Sequence, residues 1–176
     1  LCFNTSMTGY QEIISDPSYT EQIITFTFPH IGNVGTNKDD NESTRPSATG
    51  IITRAKPTSP SSWRNEISFD IWCQKNKITG LYGIDTRALT KRIRELGAPK
   101  ALVHFNRNGD HDLDMLTRTL QSWPGIKGRD LTNKINLINK IDKEYDVNRE
   151  GAVAKIAVFN FGTKTNIINC LERDKV

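Results

Sequence analysis

The 176-residue sequence predicts an α/β protein, on three observations. Two runs rich in β-branched and aromatic residues, 22–28 (QIITFTF) and 48–53 (ATGIIT), have the composition and alternation of strands. Helical spacing recurs between and after them, most clearly at Leu89, Ile93 and Leu96 behind a capping Asp85. Residues 155–160 (KIAVFN) form an apolar run of the kind buried in a parallel sheet, with Ile167, Ile168 and Leu171 at helical spacing behind it. Strand, turn and helix in that order make the first unit of a doubly wound sheet.

In chain order, residues 1–5 are a short apolar run that reads as a strand. Residues 8–14 (TGYQEII) read as a short helix, with Thr8 as cap and Gln11 three residues on in a weak capping box. The run Asp16-Pro17-Ser18 breaks it, because proline fixes φ and the residue before it avoids the helical region. The strand at 22–28 takes 48–53 as its partner, and 29–47 between them is a long polar loop. Residues 57–62 (PTSPSS) are a connecting loop. Ser68 caps a helix to about Asn76, and 78–82 is a strand. The helix opened by Asp85 ends at Gly97, a natural C′ residue. Residues 101–105 (ALVHF) are a further candidate strand, and Asp112 or Asp114 opens a helix that Pro124-Gly125 stops. Residues 132–151, rich in Asn, Lys and Asp without periodicity, read as an interdomain linker. The expected division is a first domain over 1–131, the linker, and the start of a second domain over 152–176.

Composition narrows the function classes. With 36% hydrophobic and 25% charged residues and a mean hydropathy of −0.53, the chain is an ordinary polar globular protein. No apolar run approaches the roughly 20 residues that span a bilayer. The sequence opens LCFNTS, without the basic region of a signal peptide. Cys2, Cys73 and Cys170 are odd in number, widely spaced and without a C-x-x-C pair, which points to a reducing compartment, the cytoplasm. They share no metal-ligand spacing with His30, His104 and His111, so no metal site is expected.

The net charge of +4 is unevenly placed. Residues 1–37 contain no Lys or Arg but three acids, Glu12, Asp16 and Glu21. The basic surplus gathers at Arg87, Lys91, Arg92, Arg94 and Lys100, opposed by Glu95. Without interleaved aromatic residues for base stacking, that helix reads as a solvated face or a docking surface for an acidic protein, not as a nucleic-acid footprint.

Longer segments carry a resemblance. Residues 3–35 (FNTSMTGYQEIISDPSYTEQIITFTFPHIGNVG), Ser62-Trp63-Arg64, 83–90 (GIDTRALT), 94–98 (RELGA), 123–131 (WPGIKGRDL) and 159–167 (FNFGTKTNI) closely resemble, in order, the small, glutamine-using subunit of carbamoyl phosphate synthetase. The resemblance covers essentially the whole chain. It implies an N-terminal domain of swivelling β/β/α type followed by the start of a doubly wound glutaminase domain. Two departures stand out: the family begins with about one more hairpin, and its common Asp-Phe-Gly is here Asn160-Phe161-Gly162.

In that family the small subunit hydrolyses glutamine at a Cys-His-Glu site in its second domain. The ammonia passes to a large subunit that makes carbamoyl phosphate from bicarbonate and ATP, for arginine or pyrimidine synthesis. The nucleophile's Gly-x-Cys-x-Gly-x-Gln turn does not occur here, so this stretch alone is expected to be inactive, and its cysteines are expected to be buried structural thiols. The implied partners are the large subunit, in a heterodimer, and L-glutamine. ATP and magnesium belong on the large subunit, and this chain needs no cofactor of its own.

One implied glutamine contact is Ser18. On the residues alone, 16–19 (DPSY) is an Asx-type turn in which Asp16 and Ser18 satisfy their own backbone. The resemblance makes the Ser18 N–H and hydroxyl outward contacts for the ligand. Ser6, Asp16 and Lys164 form a second group, at turns expected to face the seam where an ammonia route would start; their plain reading is capping and interdomain salt bridging. The Asp85-Thr86-Arg87 run is a helix cap with its charge pair. The rival to the enzymatic reading is an interaction module that keeps only the fold.

Overall fold

The computed structural model describes residues 1–138 and 151–174. Its centre is a parallel sheet in the order β1 (Cys2–Asn4), β2 (Ile23–Phe26), β3 (Gly50–Ile52), β4 (Thr79–Leu81). The expected pairing of the two central strands is present, with Ile23 opposite Gly50, Ile24 opposite Ile51 and Thr25 opposite Ile52. Ile24, Thr25 and Phe26 are all buried, as befits a parallel strand covered on both faces. Helices α1 (Tyr10–Ser15) and α2 (Phe69–Lys75) lie in the crossovers before β2 and before β4. The helix α3 (Thr86–Leu96) packs on β1 and β2. The α/β class read from the sequence is the class observed.

The core gathers Tyr10 and Ile14 from α1, Ile24 and Phe26 from β2, Ile51 from β3, and Phe69 and Trp72 from α2, with Ile31 and Ala48. Tyr10 and Phe69 meet edge to face at 4.8 Å, and Phe69 stacks on Trp72 at 6.2 Å. The crossover from β2 to β3 contains no helix, yet Ile31, Thr36, Asn37, Ser43 and Ser47 in it are buried. Side chains of α1 substitute for the missing backbone partners. The Gln11 amide donates to the Asn37 carbonyl at 2.6 Å and accepts the Asn37 N–H at 3.0 Å. The Tyr10 hydroxyl donates to the Gly35 carbonyl and accepts the Val34 N–H, both at 3.0 Å.

Several local expectations are corrected. Thr8 does not cap α1; Gly9, at φ 75°, precedes the first turn, and Gln11 is spent on the crossover loop. Leu96 is 74% exposed, so α3 buries Thr86 and Ile93, with Leu89 half-buried. Asp85 does cap that helix, accepting the Ala88 N–H at 3.0 Å, but its charge partner is Arg54 at 3.6 Å, not Arg87. Residues 101–105 form no strand: the sheet edges at β1 and β4 do not pair with them, and Phe105 is 81% exposed. Lys100 turns away from the basic face, its ammonium donating to the carbonyls of Gln121 and Trp123 at the end of α4 (Leu113–Ser122), which Asp112 caps.

The stretch read as an aperiodic linker opens instead with a helix, α5 (Thr132–Ile138). Asp130 starts it by accepting the Thr132 N–H at 2.8 Å; residues 139–150 lie outside the described ones. The strand expected over 155–160 is not formed and its side chains are mostly exposed, because no described strand lies beside it to complete its hydrogen bonds. The helix behind it, α6 (Thr165–Arg173), is present. The cysteines lie on β1, α2 and α6 as half-buried rather than buried thiols. Burial pushes the Cys73 thiol up to about 12, which leaves it no thiolate near neutral pH.

Candidate functional site

Pro17 presets a single 3-10 turn, Pro17–Tyr19, with Asp16 as its cap. Asp16 Oδ1 accepts the Ser18 N–H at 2.9 Å, and the Ser18 carbonyl accepts from the Gln22 amide at 2.8 Å. The Ser18 N–H, expected to face outward together with the hydroxyl, is therefore taken: a carboxylate two residues back is the nearer acceptor. The side chain of Ser18 is exposed, and its hydroxyl makes no hydrogen bond among the described residues.

Three later segments converge on this turn. Lys164, which precedes α6, places its ammonium 2.6 Å from Asp16 Oδ2. The 160–163 turn packs beside Pro17 so closely that a methyl added at Gly162 would sit 3.3 Å from Pro17 Cβ and 3.0 Å from Ile135 Cγ2 of α5. At Gly162 φ is 110°, so glycine is required there twice over. Asn160 shapes that turn by accepting the N–H groups of Gly162 at 3.0 Å and Thr163 at 2.9 Å. An amide oxygen does this as an acid would, which accounts for asparagine at the position. Just after the turn, the Glu21 carboxylate accepts from both terminal guanidinium nitrogens of Arg129 and, at 2.7 Å, from the Lys134 ammonium.

The crossover loop adds another hold. Glu42 accepts the Thr165 N–H on its carbonyl and the Asn166 N–H on Oε2, each at 3.0 Å, so it caps α6 from outside the helix. Its own N–H bonds the Ser15 hydroxyl at 2.9 Å, which ties that cap to α1.

Of the residues singled out in the sequence, Asp16, Ser18 and Lys164 come together. Ser6 does not join them directly: it is exposed, its N–H bonds Asn4 Oδ1 at 2.8 Å, and Asn4 reaches the Tyr19 hydroxyl at 3.1 Å. Sequence reasoning missed Glu21 and Glu42. A signal for Glu21 was available, since any ion pair made by an acid in a 37-residue stretch without Lys or Arg draws its cation from later in the chain.

The ion pairs fix the direction of two titrations. The hydrogen bond from Lys164 to Asp16 raises the ammonium above its ordinary 10.5, against a smaller opposing effect of burial. A raised lysine pKa stabilises the fold fully below about 10.5, and the effect fades as pH climbs through the folded-state value. Melting temperatures of the parent chain and of Lys164→Met are thus expected to differ at pH 7 to 9 and to converge above pH 10.5; a constant gap would show that the charge does not matter. Glu21 is lowered by its bonds to Lys134 and Arg129, so its contribution is present above pH 4.5 and lost as pH falls below it.

Among the described residues, no three His, Cys, Asp or Glu side chains could together hold a metal ion, and no helix is long and apolar enough to cross a membrane. Fold and site define an α/β domain whose Asp-Pro-Ser-Tyr turn receives a following turn and helix. Residues 1–103 match the family model described as carbamoyl-phosphate synthase small chain, CPSase domain, and the chain belongs to that family. It is 42% identical over 184 positions, 97% of its length, to the carbamoyl phosphate synthase small chain of Bradyrhizobium diazoefficiens, of which it covers 46%. To the small chain of Agrobacterium fabrum it is 50% identical over 135 positions, 74% of its own length and 34% of that protein. To that of Mesorhizobium japonicum it is 48% identical over 139 positions, covering 77% of itself and 35% of the relative. The chain spans about half the length or less of these curated relatives.

Proposed function

We propose that this chain forms part of the glutamine-hydrolysing small subunit of a carbamoyl phosphate synthetase. Water converts glutamine to glutamate and ammonia in that subunit, and a large subunit uses the ammonia with bicarbonate and ATP. ATP and magnesium are bound by the large subunit, and the odd, widely spaced cysteines support a cytoplasmic setting. The observation that carries the reading is the exposed Ser18 hydroxyl, held on a clamped turn at the junction with the 160–173 segment. A hydroxyl presented on a rigid support can bond a polar head group while losing little conformational entropy. Family membership favours this enzyme reading over a bare interaction module. In the same reading, Asp16 and Lys164 line the start of an ammonia route and Ser6 lies further out along it. The experiment is glutamate release by the full-length small chain with its large chain, with Ser18 exchanged as argued in the Discussion.

Docking to the large subunit falls to α3, where Arg87, Lys91, Arg92 and Arg94 are all exposed. Arg87→Glu together with Arg94→Glu is expected to weaken that association about tenfold or more at modest salt, through like-charge juxtaposition. Both side chains lie outside the core, so folding stability should move by only about 0.5 kcal/mol per site. An unchanged complex on size-exclusion chromatography would show that this face is merely solvated.

A further inference from the structure

We infer that Glu21 is a positioning residue for glutamine, holding the exit of the Ser18 turn, as Asp16 holds its entry, through its paired contact with Arg129 and Lys134; this rests on the proposed glutamine role of Ser18.

The backbone supplies the first argument. Glu21 stands at φ 59°, left-handed backbone that a non-glycine residue adopts only when its surroundings compel it. It lies three residues after Ser18, and Gln22 beside it bonds back to the Ser18 and Tyr19 carbonyls. A change in the Glu21 backbone therefore moves the segment that carries the Ser18 hydroxyl.

The side chain supplies the second. The Glu21 side chain is only 13% exposed, and its two oxygens take three donors, a forked guanidinium and an ammonium. A fork of this kind fixes direction as well as distance. Arg129 is itself seated, donating also to the Gly125 carbonyl at 3.3 Å with its own N–H on Ile126. Lys134 belongs to α5, whose Ile135 packs on the Gly162 turn that meets Pro17. The Ser18 turn is thus gripped at both ends by carboxylates whose cations come from elsewhere in the chain: Asp16 with Lys164, Glu21 with Arg129 and Lys134. Asp16 holds the Ser18 N–H, and Glu21 holds the exit of the turn. An exposed hydroxyl needs both if it is to stay aimed at one place.

The test uses the full-length small chain in complex with its large chain and reads KM and kcat for glutamine. Glu21→Gln keeps the side-chain length but loses the charge and one acceptor oxygen. It is expected to raise KM about threefold to tenfold with kcat within about twofold, the pattern of a group that acts on ground-state binding. In a Ser18→Ala background the same change should raise KM by less than about twofold, because the hydroxyl it aims is gone. A merely structural role would give the same factor in both backgrounds. Should Glu21→Gln yield no soluble subunit, Arg129→Met loosens the same contact from the other side and is read in the same way. Equal factors in the two backgrounds, or an unmoved KM in Glu21→Gln while Ser18→Ala raises it, would overturn the inference and leave the Ser18 reading intact. A Ser18→Ala change with no effect on KM would overturn both.

Discussion

Replacing Phe69 with alanine is expected to cost about 3–5 kcal/mol of stability, a large part of what a domain of this size has to lose. The ring is 1% exposed and sits between Tyr10 at 4.8 Å and Trp72 at 6.2 Å, so its removal opens a cavity that two other large rings line. The damage should spread beyond the cavity. Tyr10 carries the hydroxyl that bonds Gly35 and Val34, and α1 carries the Gln11 and Ser15 contacts that hold the crossover loop and, through it, the Glu42 cap of α6. Urea denaturation should show the loss, and amide exchange at Val34 and Asn37 should quicken before the sheet opens. Phe69→Leu, which keeps most of the volume, is expected to lose under about 1.5 kcal/mol. A loss below about 1 kcal/mol for the alanine variant would mean that the site closes up and that the Tyr10–Phe69–Trp72 stack is not a central support.

Elements whose signal is local were legible in the sequence. Asp85 and Asp112 each cap the helix that follows them, and the 22–28 and 48–53 runs contain the two central strands. Two local cap signals misled, since neither Thr8 nor Ser68 caps its helix through its side chain, and the other failures came where a distant partner decides. Residues 155–160 have strand composition, but no described strand lies beside them to take up their backbone hydrogen bonds. The 29–47 loop looks polar and solvated, yet its Asn37 and Ser43 are buried against α1, where the Gln11 amide bonds Asn37 and the Ser15 carbonyl accepts from the Ser43 hydroxyl. Asp16, Ser18 and Lys164, singled out in the sequence from turn chemistry and the family resemblance, lie together in the structure. Their mutual arrangement was not legible in the sequence, since whether an Asx carboxylate bonds its own backbone or leaves that N–H for a ligand depends on rotamer and packing. The 2.9 Å bond from Ser18 N–H to Asp16 settles that in favour of the backbone.

That bond changes what substitution of Ser18 can reveal. With the N–H already engaged, a glutamine contact falls to the hydroxyl alone, so Ser18→Ala removes the whole side-chain contribution and leaves the turn standing. In the full-length small chain it should cost about 0.5–1.5 kcal/mol in binding, the usual net value of one hydrogen bond, or about a twofold to tenfold rise in KM for glutamine. Activity with ammonia supplied directly should survive, since that route bypasses glutamine. Ser18→Pro acts differently. It deletes the N–H that Asp16 Oδ1 accepts, follows Pro17 directly, and leaves a buried carboxylate with one donor fewer opposite Lys164. The desolvation cost of that orphaned oxygen, about 1–3 kcal/mol or more for a charged group, adds to the lost hydroxyl. Glutamine-driven activity should therefore fall well over tenfold, with a lower melting temperature. If Ser18→Ala leaves KM for glutamine where it was, and Ser18→Pro harms glutamine- and ammonia-driven activity equally, then the turn serves to join α6 to the sheet and the glutamine contact lies elsewhere.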